Sequence, residues 1–432
     1  MDKIRVMLPK KFDLVVGDTF QLFYRGIIEA PNPYCYDILA SCEKGRNCPR
    51  YFEFLPEEEG QYKLTISVYG PDKALLGFGE TILDVTYPKE PENMLHILCM
   101  GSSSTAGGQW AGEAYRRLTA MDGNPKGLGF HNIQFIGTCQ KGEVAVEGYG
   151  GWGWETFLST PSGSMWVVSP NNGKTPEDQH SLWQDENGNL WQLETLSADR
   201  LKFNRYLQHT GERPTSGHLV HFKDASNQES IYIESSLEEK ISPYYNPETG
   251  KLDFAAYCKR NHFEKIDALY IMLGANGLGG PYKAGVPLEE HCKHNVKEGK
   301  KFVCLLRETY PEAKVRILGI IPPSAIGGMG ASYGTTMPYC DYYGYLRYVL
   351  ALNKAYEEWT LETEYRDFMD FIHISGQFDA ENNMPGTEKA VNTRSSKTEI
   401  IGTNGLHPLH EGYMQVADAV YRNMVHLCKD SK

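Results

Sequence analysis

Apolar positions follow two rhythms along this chain, and the change between them divides it. Through the first 88 residues, short segments alternate apolar and polar positions, notably 20–24, 51–54, 62–69 and 81–87. Successive side chains on a strand point to opposite faces, so this alternation predicts strands with one buried face. Acidic and glycine turns separate them, as in Pro56-Glu57-Glu58-Glu59-Gly60. Several strands at this spacing predict a small β-sandwich over residues 1–88.

A polar, proline-bearing stretch, Pro88-Lys89-Glu90-Pro91-Glu92-Asn93, reads as a linker. Beyond it the runs become short and continuously apolar, each ending at or near glycine: 95–100, 133–137, 268–274 and 315–320. Helix-forming segments lie between and after them, at 112–121, 288–309, 342–364 and 414–428. Strands alternating with helices predict a parallel sheet covered on both faces, in a second domain spanning 94–432. Residues 160–250 break the rhythm. They are polar and turn-rich, with Trp166, Trp183 and Trp191 interspersed and a hairpin turn at 185–191. A long insertion of this kind reads as a lid or a binding surface. A glycine-rich tract at 327–340 reads as a mobile loop.

Composition narrows the partners. The chain has 432 residues and a formal net charge of −12. Nucleic acid and anionic membrane both call for basic surface, so neither is expected as a partner. No run approaches the ~18 apolar residues of a membrane span. The first residues include basic ones but no apolar core of a signal peptide. The chain as given is therefore expected in the cytoplasm, or secreted if a signal has been removed. The ten cysteines are scattered without a CxxC pair; Cys99 and Cys304 sit in apolar runs and read as buried thiols. Cys35, Cys42 and Cys48 could mark a disulfide or metal site, with free thiols the plainer reading. No clustered His/Cys ligand set calls for a metal, and no cofactor is implied; His291 and His294 read as a solvated helix face.

Four segments carry candidate chemistry, and all fall after apolar runs, where ligands of parallel sheets bind. Gly101-Ser102-Ser103-Ser104-Thr105 stands between a strand and a helix. A serine on such a turn suits acyl transfer, with its own N–H near a helix start; a capping turn or a phosphate cradle would use the same residues, although no P-loop lysine follows. Glu147-Gly148-Tyr149-Gly150-Gly151-Trp152 exposes backbone N–H groups to a reacting oxygen, and is equally a glycine turn beside core tryptophans. Gly274-Ala275-Asn276 could aim an amide at an oxyanion or stabilise its own turn. In Asn404-Gly405-Leu406-His407-Pro408, the imidazole of His407 suits proton abstraction near neutrality.

Together these four segments resemble the sequence blocks of the SGNH/GDSL hydrolase superfamily, in the usual order, over about residues 94–428. Gly101 to Thr105 is similar to the block written GDSxT, Gly151 to the glycine block, Gly274-Ala275-Asn276 to GxN, and Asn404 to Pro408 to DxxHP. The resemblance implies a three-layer α/β/α sandwich with a parallel sheet. It implies Ser103 as nucleophile, His407 as base, and an oxyanion hole from the Ser103 and Gly151 N–H groups with the Asn276 side chain. The N-terminal module resembles an immunoglobulin-like sandwich through Gly60-Gln61-Tyr62 ahead of a strand.

Two positions depart from the pattern. Ser102 stands where the motif has Asp, away from the nucleophile. Asn404 stands where the triad Asp belongs; an amide can orient His407 but brings no charge. A Ser–His dyad, or another carboxylate such as Glu399 or Asp379, would then serve the histidine. The expected activity is hydrolysis of acetyl or other short acyl esters, on a small molecule or an oligosaccharide, with Trp110, Trp152 and Trp154 as sugar-stacking surfaces. The alternative is a catalytically weak or inactive carbohydrate-binding protein using the same pocket.

Overall fold

The computed structural model describes residues 3–160, 165–168, 181–196, 200–205, 217–221, 230–233, 236–237, 240–276, 287–329 and 341–431. It is a mixed α/β structure with several sheets. Two compact units make it up: residues 1–155 with 253–432, and residues 156–252.

In the first unit, the alternating N-terminal segments form two small sheets. Lys11–Val15, Leu75–Thr86, Gly60–Tyr69 and Asp37–Ser41 make one; Phe20–Phe23, Tyr51–Phe54 and Arg46–Asn47 make the other. Their inward residues, among them Leu14, Leu64 and Ile66 from the first and Leu22 and Phe52 from the second, share one apolar core. The first sheet is antiparallel except where Lys11–Val15 runs parallel to Leu75–Thr86.

The continuously apolar runs form a seven-stranded sheet. Its order is Cys139–Lys141, Val144–Gly148, Leu95–Gly101, Ala268–Met272, Lys314–Leu318 and Met369–Ile372, with Ile133–Ile136 pairing along the first half of Leu95–Gly101. All pairings are parallel except that of Cys139–Lys141. Residues pointing to either side of the central strands are buried, which is why these strands read as unbroken apolar runs. On one face Trp110, Ala111, Ala114 and Leu118 of the Gln109–Thr119 helix and Val416, Ala417 and Val420 of the His410–Asp430 helix join the strand core. A second helix pair, Leu288–Thr309 and Tyr342–Thr360, reaches the sheet where Tyr348 and Tyr356 donate to the carbonyls of Gly274 and Leu273.

Residues 1–88 are locked into this unit by buried charge. Asp18 accepts from Arg117 and Arg422, each at 2.5 Å, and Arg117 also binds Asp418 at 2.5 Å. Burial alone would push the Asp18 carboxyl up, but Arg422 and Arg117 together hold it below the ordinary carboxylate value. Breaking such a pair on one side costs about 3–5 kcal/mol, because the remaining charge stays buried.

The second unit holds a seven-stranded antiparallel sheet with Leu182–Gln184 and Leu190–Leu196 paired near its middle. Asp185 builds the turn between them, accepting from the N–H groups of Asn187 and Asn189 and from Trp191 Nε1. Trp183 and Trp191 are core residues of this sheet. The side chain of Trp166 and most of the 327–340 tract lie outside the described residues.

Two smaller expectations change, and the plainer reading of the clustered cysteines stands. Cys304 is exposed, on the outer side of the Leu288–Thr309 helix. His291 is buried against the edge of Tyr348, and His294 pairs with Glu155, so this helix face is not a solvated one. Cys35, Cys42 and Cys48 are free thiols.

Candidate active site

The parallel register brings three strand ends to one row. Gly148 pairs with Gly101, and Gly101 with Met272. The segments that follow, 102–108, 149–153 and 273–276, therefore leave the sheet side by side. Gly148 is required for this closeness: a Cβ there would lie 2.7 Å from backbone atoms of Ala106. Ser103 opens the short Ser103–Ala106 helix, whose turn is closed by the Thr105 and Ala106 N–H groups on the Ser102 carbonyl.

His407 comes from the other end of the chain, on the loop ahead of the His410–Asp430 helix. Its Nε2 lies 2.8 Å from Ser103 Oγ, although the two are 304 positions apart. Burial holds the imidazole below its ordinary pKa. Asn404 turns its side-chain oxygen to the loop itself, accepting from the N–H groups of Leu406 at 2.9 Å and His407 at 3.0 Å. Its Nδ2 faces His407 Nδ1 at 3.5 Å, a long contact.

The two alternative carboxylates have different settings. Asp379 accepts from both terminal nitrogens of Arg50 and from Asn382; burial pushes its carboxyl up, and Arg50 and Asn382 overcome that to hold it low. Glu399 is exposed on the outer hairpin formed by Gly386–Ala390 and Thr398–Gly402.

Asn276 is drawn to the glycine block, donating from Nδ2 to the Trp152 carbonyl at 3.2 Å. Gly151 has φ +74°, a left-handed conformation that costs a glycine nothing. Beneath this block is a residue that sequence reasoning missed. Glu147 is fully buried and accepts four hydrogen bonds: from Thr138 N at 2.7 Å, Thr138 Oγ1 at 3.1 Å, Tyr257 Oη at 2.6 Å and Tyr149 Oη at 2.5 Å. Burial and then the Glu147 charge push the Tyr149 phenol far up, so it stays a donor. A charged residue in the buried run Val144-Ala145-Val146-Glu147-Gly148 is the signal that could have revealed it.

All three tryptophans are buried. Trp152 stacks on the half-buried Tyr149, with ring centroids 4.1 Å apart. Trp110 is not a substrate surface: it is fully buried in the core and donates to Thr105 Oγ1 at 3.3 Å, bracing the nucleophile turn. Trp154 is likewise buried, donating to Tyr356 Oη at 2.9 Å and packing on Phe302 and Trp359. Large aromatic rings add most stability when wholly covered, and both follow that rule.

Among the described residues, one acidic and histidine set lies close enough to share a cation: Asp13, Asp84 and His426. The Lys11 ammonium already bonds Asp13 at 2.6 Å and faces Asp370, so the negative charge there has its counter-ion. No helix among the described residues is long and apolar enough to cross a membrane.

No family model and no curated protein matches this sequence. Among solved structures, the chain is similar to a carbohydrate esterase family 3 protein from Talaromyces cellulolyticus, at 12% identity and a TM-score of 0.36, over 78% of this chain and all of that one. It is similar to a family two carbohydrate esterase from Clostridium thermocellum in complex with cellohexaose, at 10% identity and a TM-score of 0.30, over 96% and 94%. A peptidoglycan O-acetylesterase is similar at 11% identity and a TM-score of 0.30, over 78% and 93%.

Proposed function

We propose that this chain is a serine ester hydrolase of the SGNH type, working on a three-layer α/β/α domain preceded by an immunoglobulin-like module. The observation that carries the reading is the 2.8 Å approach of His407 Nε2 to Ser103 Oγ at the carboxyl end of the parallel sheet. At that distance the imidazole can take the serine proton as Ser103 attacks an ester carbonyl. The N–H groups of Ser103 and Gly151, with the Asn276 amide, would receive the developing oxyanion. His407 then protonates the leaving alcohol, and water releases the acid from the acyl-enzyme.

Short acyl groups on carbohydrate, acetyl above all, are the proposed substrates. The support is Tyr149, half-buried beside the glycine block and backed by the buried Trp152, since flat aromatic surfaces suit sugar rings. A second reading, a catalytically weak carbohydrate-binding protein, is favoured by one observation: Asn404 supplies no charge to His407. Hydrolysis of p-nitrophenyl acetate and an acetylated oligosaccharide, beside Ser103→Ala, decides between them. Turnover that falls on the order of 10²-fold in Ser103→Ala is the expected result. Equal rates in both proteins, together with binding of the sugar, would establish the second reading.

A further inference from the structure

The amide of Asn404 is oriented by its own loop. Its oxygen accepts from two backbone N–H groups, those of Leu406 and His407. Turned over, the amide would set its NH₂ against both donors, so the observed orientation is the only one that satisfies the loop. The group left facing His407 Nδ1 is therefore Nδ2, which can donate and cannot accept.

We infer that Asn404 is a positioning residue that holds His407 in the tautomer unable to take a proton from Ser103. The inference rests on the reading of Ser103 and His407 as nucleophile and base. A neutral imidazole carries one proton. If it sits on Nδ1, it points at the Asn404 NH₂, donor against donor. If it sits on Nε2, Nδ1 offers a lone pair to Asn404, and the Nε2–H points at Ser103 Oγ across 2.8 Å. The second arrangement is the satisfied one. A half-buried donor left unmatched disfavours the first by roughly 10- to 100-fold. In the favoured state the serine oxygen accepts a hydrogen bond from the base that should be removing its proton, and the lone pair needed for abstraction faces the wrong side of the ring.

The surrounding groups do not reverse this preference. Asp379 is held by Arg50, Glu399 is exposed on the hairpin, and His410 turns its Nδ1 to Gln109. Burial lowers the basicity of the imidazole. Asn404→Asp changes one group and reverses the preference. One carboxylate oxygen keeps the two backbone N–H groups, and the other faces Nδ1 as an acceptor. The proton then moves to Nδ1, and Nε2 presents its lone pair to Ser103.

The test reads the tautomer directly. In the native chain with ¹⁵N-labelled histidine, above neutral pH, His407 is expected to show a protonated Nε2 and an unprotonated Nδ1. In Asn404→Asp the two exchange, kcat on p-nitrophenyl acetate rises by about 10³- to 10⁴-fold with little change in KM, and the acid limb of the pH profile moves to higher pH. A residue that merely caps the loop would leave the native His407 with no preference for the Nε2 proton. A native His407 protonated on Nδ1, or an Asn404→Asp chain with unaltered tautomer and kcat, overturns the inference. Failure of the esterase reading looks different: Ser103→Ala would then leave turnover untouched, whatever the tautomer proves to be.

Discussion

Two loops meet at the candidate site, and they treat charge in opposite ways. The 147–152 segment begins on Glu147, a fully buried carboxylate with four donors. The 404–407 segment has an amide in the corresponding supporting role, facing its histidine. Burying a charge is costly unless every lone pair is met. Glu147 meets that condition with a backbone N–H, a threonine hydroxyl and two phenols. At this site the buried carboxyl is tied into the strand that leads to the glycine block. The base instead faces an amide.

The sharpest way to press this comparison combines substitutions at both ends of the dyad. In a serine protease, losing the nucleophile costs about 2 × 10⁶ in kcat and losing the aspartate alone about 3 × 10⁴. If Asn404 already forfeits most of the aspartate's contribution, Ser103→Ala in the native chain should cost on the order of 10²-fold, and the same change in an Asn404→Asp background on the order of 10⁶-fold. Initial rates on p-nitrophenyl acetate measure both. Equal losses in the two backgrounds would mean that Asn404 is not what limits His407.

The next effect concerns stability and places Glu147 beside the other buried carboxylate network. Asp18→Asn strips the counter-charge from Arg117 and Arg422 and should cost about 3–5 kcal/mol in urea unfolding. The pH dependence has a definite sign. The folded-state pKa of Asp18 is depressed, so its contribution is present above the unfolded value near ~3.9 and is lost as pH falls through the folded value. The stability difference between native and Asp18→Asn should therefore shrink on acidification below about pH 4. Glu147→Gln is milder, at about 1.5–3 kcal/mol, since an amide still fills the space but sets an NH₂ against donors. If the comparison is right, this change also lowers kcat through a loosened Gly151 turn, while Asp18→Asn leaves kcat alone.

The smallest effect is the position of the acid limb. Burial lowers the His407 pKa, so the neutral base persists to more acid pH than an exposed histidine would allow. The acid limb of kcat/KM in the native chain should fall below the ordinary histidine value of about 6.5. A limb at or above that value would point to a carboxylate acting on His407 after all.

Much of this was legible along the chain. The 288–309 helix is as its pattern predicts, and the runs at 95–100, 133–137, 268–274 and 315–320 are strands of the parallel sheet. Lys11–Val15, Asp37–Ser41 and Met369–Ile372 were not singled out: no residue of Asp37–Ser41 is buried, and charged residues interrupt the apolar positions of the other two. Ser103 and His407 were legible as local motifs, whereas their contact is a property of strand order. The tryptophans misled because burial is a tertiary property. Even so, Trp110, Ala114 and Leu118 repeat at four-residue spacing, the stripe of a helix face turned to the core. The engagement of Asp379 by Arg50, over a separation of 329 residues, had no local signal at all.

Asn404 is followed by Gly405, and that pair has a chemical clock. The backbone nitrogen of a glycine, unhindered by a side chain, can attack the amide carbon of the asparagine before it, expelling ammonia and closing a succinimide. Water reopens the ring to aspartate or to isoaspartate. The first product would carry the carboxylate that the His407 loop lacks, and the second would lengthen the backbone by one methylene beside the base. Ageing thus has two opposite consequences for one loop, and protein stocks compared for activity should first be matched for the aspartate and isoaspartate forms of the peptide that contains residue 404, which share one mass and are separated by chromatography.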